Sequence, residues 1–191
     1  MMRIIGGRAR GLHLTPVGDG DASAHLRPTS DRVREAIFNL LINGKVARQG
    51  DAVTGARVLD LFAGTGALGL EALSRGAAQA TFVDDGKAAR SLIKRNIDLM
   101  RAGGEATYLA ANATALPPNR GLGFDLVFLD PPYGKGLGEA ALASCVAGGW
   151  LAPGALVVWE DNRAPVVPPA FTPIDQRKYG DTIVTLIRAA Q

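Results

Sequence analysis

The sequence predicts an α/β domain in which a mostly parallel β-sheet carries helices on both faces. Between residues 57 and 160, strand-like segments alternate with helix-like segments, which is the pattern of a parallel sheet. The strand-like segments are nearly continuous apolar runs, as expected for strands buried on both faces. The length of 191 residues and the hydrophobic content of 47% suit one domain with a substantial core.

The individual elements follow from composition and spacing. Strands are predicted at residues 57–62, 79–84, 106–110, 124–130 and 154–160. Helices are predicted at residues 31–42, 67–75, 87–101 and 137–147. Segments 171–176 and 182–188 lie too close together for a parallel crossover. We therefore expect them to close the sheet as a hairpin, giving seven strands with an antiparallel last strand.

The N-terminal residues predict a small extension of this domain. Residues 3–6 and 11–15 are expected to form two short strands of a hairpin. On this basis we divide the chain into a basic arm, residues 1–24, and a main domain, residues 25–191.

The positive charge is concentrated near the N-terminus. The chain has a formal net charge of +3, to which residues 1–48 contribute +4 and the remaining residues −1. A basic arm on a nearly neutral domain indicates a polyanionic partner, although a solvated Arg-rich strand would show the same composition. The candidate contacts to phosphate groups are Arg3, Arg8, Arg10, Arg27, Arg32, Arg34 and Lys135.

Cysteine and histidine usage narrows the functional classes. Cys145 is the single cysteine, so an intramolecular disulfide is excluded and a reducing cytoplasm fits. His13 and His25 lack partners at ligand spacing, so no metal site is expected. Residues 140–159 carry no charge over the length of a membrane span, but glycine and proline pairs interrupt them. We expect a helix, a turn and a buried strand in this segment. We further expect the protein to be a monomer that does not attach to a membrane.

A glycine-rich turn follows the first strand of the alternating region and opens a helix. Gly64, Gly66 and Gly69 fit the GxGxxG pattern, which lets the backbone approach a ligand closely. Asp84 ends the next strand, where an acid suits a ribose diol. The pattern alone fits both a nicotinamide dinucleotide and S-adenosylmethionine. Asp60 favours the methyl donor, because a carboxylate attracts a cationic amino-acid group and repels a pyrophosphate.

The tetrapeptide DPPY at residues 130–133 follows another apolar strand. Asp130 and the Pro131 carbonyl can accept hydrogen bonds from an amino group on an aromatic ring and so orient its lone pair. Tyr133 can stack on an extruded base. We take Asp130 to be an ordinary carboxyl with a pKa of about 4, hence a weak base. The alternative is a tight turn with a solvated acid and a core tyrosine.

These motifs resemble the RsmD family, bacterial methyltransferases acting on the exocyclic amino group of one guanine in 16S ribosomal RNA. The resemblance rests on RIIGG at 3–7, RG at 10–11, LRPT at 26–29, DRVRE at 31–35, FN at 38–39, LDLFAGTGALGLEALSRG at 59–76 and DPPY at 130–133. It implies a Rossmann-like, class I S-adenosylmethionine-dependent methyltransferase fold. It further implies that the N-terminal β-hairpin extension helps to bind 16S ribosomal RNA. The RNA would be either free or part of a small-subunit particle or assembly intermediate.

The resemblance also implies a division of roles among the site residues. S-adenosylmethionine would be held by Asp60, Phe62, Ala63, Gly64, Gly66, Asp84, Asn112, Ala113 and Asp130. Within that set, Asp84 would bind the ribose and Asn112-Ala113 the adenine. The catalytic residues would be Asp130, Pro131 and Tyr133.

Several alternatives stay open on the sequence. The chemistry also fits methylation of adenine or cytosine amino groups in DNA, and the glycine pattern fits a dinucleotide-dependent oxidoreductase. A non-catalytic RNA-binding factor is a further possibility. Thr29 is either a helix cap or a residue bordering the cofactor, and Glu160 is either functional or solvated at the end of its strand.

Overall fold

In a computed structural model, the chain folds around a central seven-stranded sheet with helices on both faces. The structure describes residues 2–18, 29–44, 46 and 50–191. The strands are β1 (Arg57–Leu61), β2 (Gln79–Val83), β3 (Ala106–Leu109), β4 (Phe124–Leu129), β5 (Leu151–Asp161), β6 (Phe171–Tyr179) and β7 (Thr182–Ala189). The helices are α1 (Asp31–Asn43), α2 (Ala67–Ser74), α3 (Lys87–Met100) and α4 (Leu137–Ala147). Every predicted element of the main domain is present, with ends that differ by a few residues.

The strand order is β3-β2-β1-β4-β5-β7-β6. Strands β1 to β5 pair in parallel, whereas β7 runs antiparallel to both of its neighbours. The predicted fold class and its antiparallel last strand are therefore confirmed. The strand order reverses between β1 and β4, which places the carboxyl ends of β1, β2 and β4 around one crevice. Ligands of open α/β sheets bind at such a reversal.

Strand β5 begins earlier than the sequence predicted. Leu151 already pairs with Phe124, and the register then shifts before Leu156 pairs with Leu126. Pro153 and Gly154, which suggested a turn, lie in this irregular stretch, where a β-bulge tolerates them. The uncharged segment 140–159 is thus a helix, a turn and a strand, as predicted.

The N-terminal arm is paired as a hairpin but contains no regular strand in its described part. The Ile4 N–H donates to the Leu12 carbonyl and the Leu14 N–H to the Met2 carbonyl, both at 2.9 Å. The Gly11 N–H adds a third bond to the Ile4 carbonyl at 2.8 Å. The N–H groups of Ile5 and Gly6 donate to Glu71 of α2 and not to the opposite segment. The two strands predicted at 3–6 and 11–15 are consequently reduced to an isolated bridge, with a 3₁₀ turn at Gly7–Ala9.

Two apolar cores lie on opposite faces of the sheet. Helices α1, α2 and α3 cover one face, and Ile4 and Leu14 of the arm are buried in that same core. Helix α4 covers the other face through Ala141, Leu142 and Cys145. The arm is thus integrated into the main core, and the predicted boundary between residues 24 and 25 lies outside the described residues. Within the described part, none of the helices has the length and apolarity that crossing a membrane requires.

Candidate active site

A cavity of about 720 Å³ opens where β1, β2 and β4 end. Three segments line it: the turn after β1, the turn after β2 and the DPPY turn after β4. Thr29, just before α1, and Lys135, before α4, also border it. The two motifs that the sequence singled out, 70 residues apart in the chain, therefore share one cavity.

The turn after β1 has an unusual backbone. Phe62 has a φ of 58°, in the left-handed region that side chains other than glycine rarely adopt. Gly66, at the N-cap of α2, has a φ of 77°. Gly69 is required for a different reason, since a Cβ there would lie 2.4 Å from the ring of Phe82. Such strain at a turn that lines a cavity is typical of ligand sites.

Asp60 is the most deeply buried acid of the cavity, with 2% of its surface exposed. One carboxylate oxygen accepts a 2.9 Å hydrogen bond from the Gly69 N–H. Burial raises the pKa of Asp60 well above its ordinary value, and the nearby charges of Asp130 and Asp84 raise it further. A cationic ligand group placed here would relieve that unfavourable ionisation.

Asp84 ties the turn after β2 to the glycine-rich turn. Its carboxylate accepts hydrogen bonds from the Gly64 N–H at 2.9 Å and the Gly86 N–H at 2.8 Å, one on each oxygen. Burial nevertheless raises the pKa of Asp84, against the effect of those two bonds. Each oxygen keeps acceptor capacity toward the cavity, which a diol can use.

The DPPY turn places a polar group and an aromatic ring side by side. Asp130 and Tyr133 are both partly buried, and Pro131 is buried. Burial raises the pKa of Asp130 to about 7, opposed by the hydroxyl of Thr29 and reinforced by Asp161. The sequence-based expectation of a pKa near 4 is therefore wrong, because it ignored burial among acids.

Glu160 is the functional candidate that sequence reasoning left undecided. It is 2% exposed and lies at the end of β5, beside β4. The Thr29 hydroxyl lies 3.3 Å from one Glu160 oxygen and 3.4 Å from an Asp130 oxygen, so it can donate to either acid. Burial, with the charge of Asp130 second, raises the pKa of Glu160 well above its ordinary value. Ser30 caps α1 instead of Thr29.

Most of the predicted cofactor and catalytic residues come together in this cavity. Those lining it are Asp60, Phe62, Ala63, Gly64, Asp84, Asp130, Pro131 and Tyr133. Gly66, which forms the N-cap of α2, and Asn112 and Ala113 are not among the described lining residues. The Asn112 side chain is exposed and accepts a 2.9 Å hydrogen bond from the Thr114 N–H, while Ala113 is buried in the second core. Their contact with adenine stays a prediction.

The basic residues predicted to contact phosphate lie in different environments in the structure, some buried, some ion-paired and some exposed. Arg34 is completely buried, so the expectation that it contacts phosphate is wrong: its guanidinium presents no surface to RNA. Arg3 and Arg8 are exposed but form ion pairs, with Asp31 and Glu105 respectively. Arg10, Arg32 and Lys135 are exposed, and Arg27 lies outside the described residues.

Sequence reasoning missed a buried polar cluster that holds the arm. Glu71 of α2 is fully buried and accepts 2.8 Å hydrogen bonds from the N–H groups of Ile5 and Gly6. It also accepts a 2.7 Å bond from Arg75, one helical turn on, and lies 3.7 Å from Arg34. The i, i+4 pair of Glu71 and Arg75 was the available signal, but such pairs usually lie on helix surfaces.

The fold and the cavity together define a Rossmann-like methyltransferase. The model of the family described as "Conserved hypothetical protein 95" matches residues 2–188. The chain belongs to this family, which confirms the resemblance to RsmD proteins found in the sequence.

The comparisons with individual proteins agree. The chain is similar to Ribosomal RNA small subunit methyltransferase D of Escherichia coli K12, with 42% identity over 170 residues, 87% of this chain and 79% of that protein. It superposes on the solved structure of yhhF from Escherichia coli with a TM-score of 0.81 and 38% identity, covering 100% and 99% of the two chains. The N-methyltransferase NodS of Bradyrhizobium japonicum, solved with S-adenosyl-L-homocysteine, shares the fold at 14% identity and a TM-score of 0.65, with 91% and 94% covered.

Proposed function

We propose that this protein uses S-adenosylmethionine to methylate the exocyclic 2-amino group of a guanine in bacterial 16S ribosomal RNA. The observation that carries the proposal is the shared cavity, where the glycine-rich turn after β1 meets the DPPY turn after β4. The similarity to Ribosomal RNA small subunit methyltransferase D supports the substrate class.

The residues of the cavity fit the cofactor. Asp60 is a buried acid whose raised pKa would be lowered by a cationic ammonium group. Asp84 offers carboxylate oxygens at the end of β2, suited to a ribose diol. Three acids around the cavity, Asp60, Asp84 and Asp130, disfavour a pyrophosphate, which argues against the dinucleotide-dependent oxidoreductase.

The cofactor supplies an electrophilic methyl group when bound, and the protein supplies orientation. Asp130 and the Pro131 carbonyl accept hydrogen bonds from the two amino hydrogens, which directs the nitrogen lone pair toward the methyl group. Tyr133 stacks on the guanine ring after the base leaves its helix. The main contribution is positioning, because the lone pair of an aromatic amine is delocalised and weakly nucleophilic.

Asp130 is also placed to receive the proton that the methylated nitrogen releases. Its pKa of about 7 makes it a better base than an ordinary aspartate and leaves a substantial ionised fraction at neutral pH. Thr29 links Asp130 to Glu160, so the pair can redistribute one negative charge and one proton within the buried site.

The test is a methyl-transfer assay with radiolabelled S-adenosylmethionine, offering 16S RNA, small-subunit particles and DNA in parallel. We expect label in RNA or particles and N2-methylguanosine as the modified nucleoside in a mass spectrum. Methylated adenine or cytosine in DNA would establish the alternative substrate instead. RNA binding without transfer of label would indicate a non-catalytic factor, and calorimetric binding of NADH but not S-adenosylmethionine would indicate an oxidoreductase.

A further inference from the structure

Helix α3 carries a line of basic side chains along its exposed side. Lys87, Arg90, Lys94 and Arg101 are all exposed. Their spacing places them within about 60° of one another around the helix axis, at about 100° per residue. The line runs from the first residue of α3 to the residue that ends it, a length of about 21 Å at 1.5 Å per residue. We refer to these four residues as the basic row.

The basic row is not neutralised by the protein itself. Among the ion pairs of residues 2–18, 29–44, 46 and 50–191, none involves a member of the row. Asp98, the one acidic side chain of α3, is exposed and lies about one helical turn from both Lys94 and Arg101, but it forms no ion pair with either. The four cations of the row together with Asp98 keep a net charge of +3. Like charges one turn apart destabilise a helix slightly, so the excess of positive charge on this side of α3 favours an anionic partner.

The position of the basic row relates it to the cavity. Lys87, its first member, lines the cavity together with Lys135 from the loop before α4. The other members extend away from the cavity along α3. After the C-terminal end of α3 the chain continues to Glu105, which accepts a hydrogen bond from Arg8. This bond joins the turn of the arm to the segment that follows α3. A line of cations that begins at the mouth of the cavity is complementary to a polymer with regularly spaced anionic groups. One monomer of that polymer would enter the cavity while its neighbours lie along the row.

We propose that the basic row is the track along which the RNA backbone approaches the cavity. This inference rests on the proposed function and specifies where that substrate lies. Phosphate groups contact the row while the target base turns into the cavity, with Lys87 and Lys135 on either side of the entry. Contacts of this kind release condensed counterions, so binding depends strongly on salt.

The test compares two double variants that each remove one lysine and one arginine. The row variant is Lys94→Gln with Arg101→Gln, and its control is Arg120→Gln with Lys178→Gln, which are also exposed and outside the ion pairs of the described part. We expect the row variant to bind a 16S RNA fragment about tenfold more weakly at moderate salt. We also expect the slope of log K against log salt to fall in magnitude by about 1.5. Calorimetric S-adenosylmethionine affinity should match the parent in both variants.

The outcomes separate the two proposals. Equal RNA affinity and equal salt slope for the row variant and its control would overturn the basic row as an RNA track. Loss of binding to anionic phospholipid vesicles with unchanged RNA affinity would overturn it too, since the row would then serve a membrane surface. A parent protein that binds RNA but methylates no guanine would overturn the proposed function, while the affinity comparison would still decide the role of the row.

Discussion

The N-terminal region and helix α3 are both rich in basic residues, but the structure uses their charges differently. Near the N-terminus, Arg34 is buried beside Glu71, and Arg3 and Arg8 each pair with a carboxylate. On α3 the basic row faces solvent, and no ion pair of the described residues includes it. These three N-terminal charges have partners within the protein, whereas Arg10 and Arg32 are exposed and belong to none of the ion pairs of the described residues. The basic row is the longer continuous set of charges that remains available to a partner.

This difference shows why charge counted along a sequence is a poor guide to a binding surface. Residues 1–48 carry a net charge of +4 and the rest of the chain −1, and this distribution predicted that the arm contacts a polyanionic partner. Residues 87–101 alone also carry a net charge of +4. The net charge of the main domain does not reveal this, because acidic residues elsewhere in the domain cancel it. What matters for binding is which charges are exposed and unpaired after folding.

Removing the buried acid of the arm cluster should have the largest effect on the N-terminal region. Glu71→Ala leaves the Arg34 guanidinium and the N–H groups of Ile5 and Gly6 without their acceptor. We expect the free energy of unfolding to fall by about 3–5 kcal/mol, measured by urea denaturation. Glu35→Ala, an exposed acid on α1, should change it by less than about 0.5 kcal/mol. Equal losses for both variants would show that the cluster does not hold the arm.

Changing the acid of the DPPY turn should reduce catalysis without affecting either basic region. Asp130→Asn removes the carboxylate that orients the amino group, so we expect kcat to fall about a hundredfold. RNA affinity should stay within about twofold of the parent, because Asp130 makes no phosphate contact in this account. A variant with parental kcat would exclude the proposed role of Asp130.

The pH dependence of the parent enzyme follows from the same residue. Burial raises the pKa of Asp130 to about 7, so below that pH the group is mostly protonated and can no longer take up the proton released by the methylated nitrogen. We expect kcat/KM to rise about tenfold per pH unit up to pH 7 and then to level off. Asp161→Asn should move the midpoint to lower pH, because the charge of Asp161 contributes to the raised pKa. A profile that is flat between pH 6 and 8 would contradict this assignment.

The smallest effect is expected at the exposed ion pair of the arm. Arg8 and Glu105 are joined at the surface, where such pairs contribute about 0–1 kcal/mol. Arg8→Gln should therefore shift the thermal midpoint by only a few degrees. A shift as large as that of Glu71→Ala would mean that this pair, and not the buried cluster, fixes the arm.

The sequence was sufficient to predict the sheet, the helices and the position of the DPPY motif at the edge of the sheet where ligands bind. Strands such as β4 are apolar throughout, and Asp130 follows directly at the edge where ligands bind. These features are local patterns joined by a general rule of topology, so they could be derived without coordinates.

Features that depend on tertiary contacts could not be derived in this way. Arg34 of α1 is buried beside Glu71 of α2, which lies 37 residues later in the chain. The raised pKa of Asp130 depends on burial and on the charges of residues brought together by the sheet. The hydrogen bond between Thr29 and Glu160 likewise joins residues that are 131 positions apart in the chain.

The most direct test of the account is a comparison of the salt dependence of RNA binding for two variants. One is the row variant, Lys94→Gln with Arg101→Gln, and the other is an arm variant, Arg3→Gln with Arg8→Gln. We expect the slope of log K against log salt to fall in magnitude by about 1.5 for the row variant and by less than about 0.5 for the arm variant. A larger change for the arm variant than for the row variant would contradict this expectation, and the arm would then be the principal RNA contact.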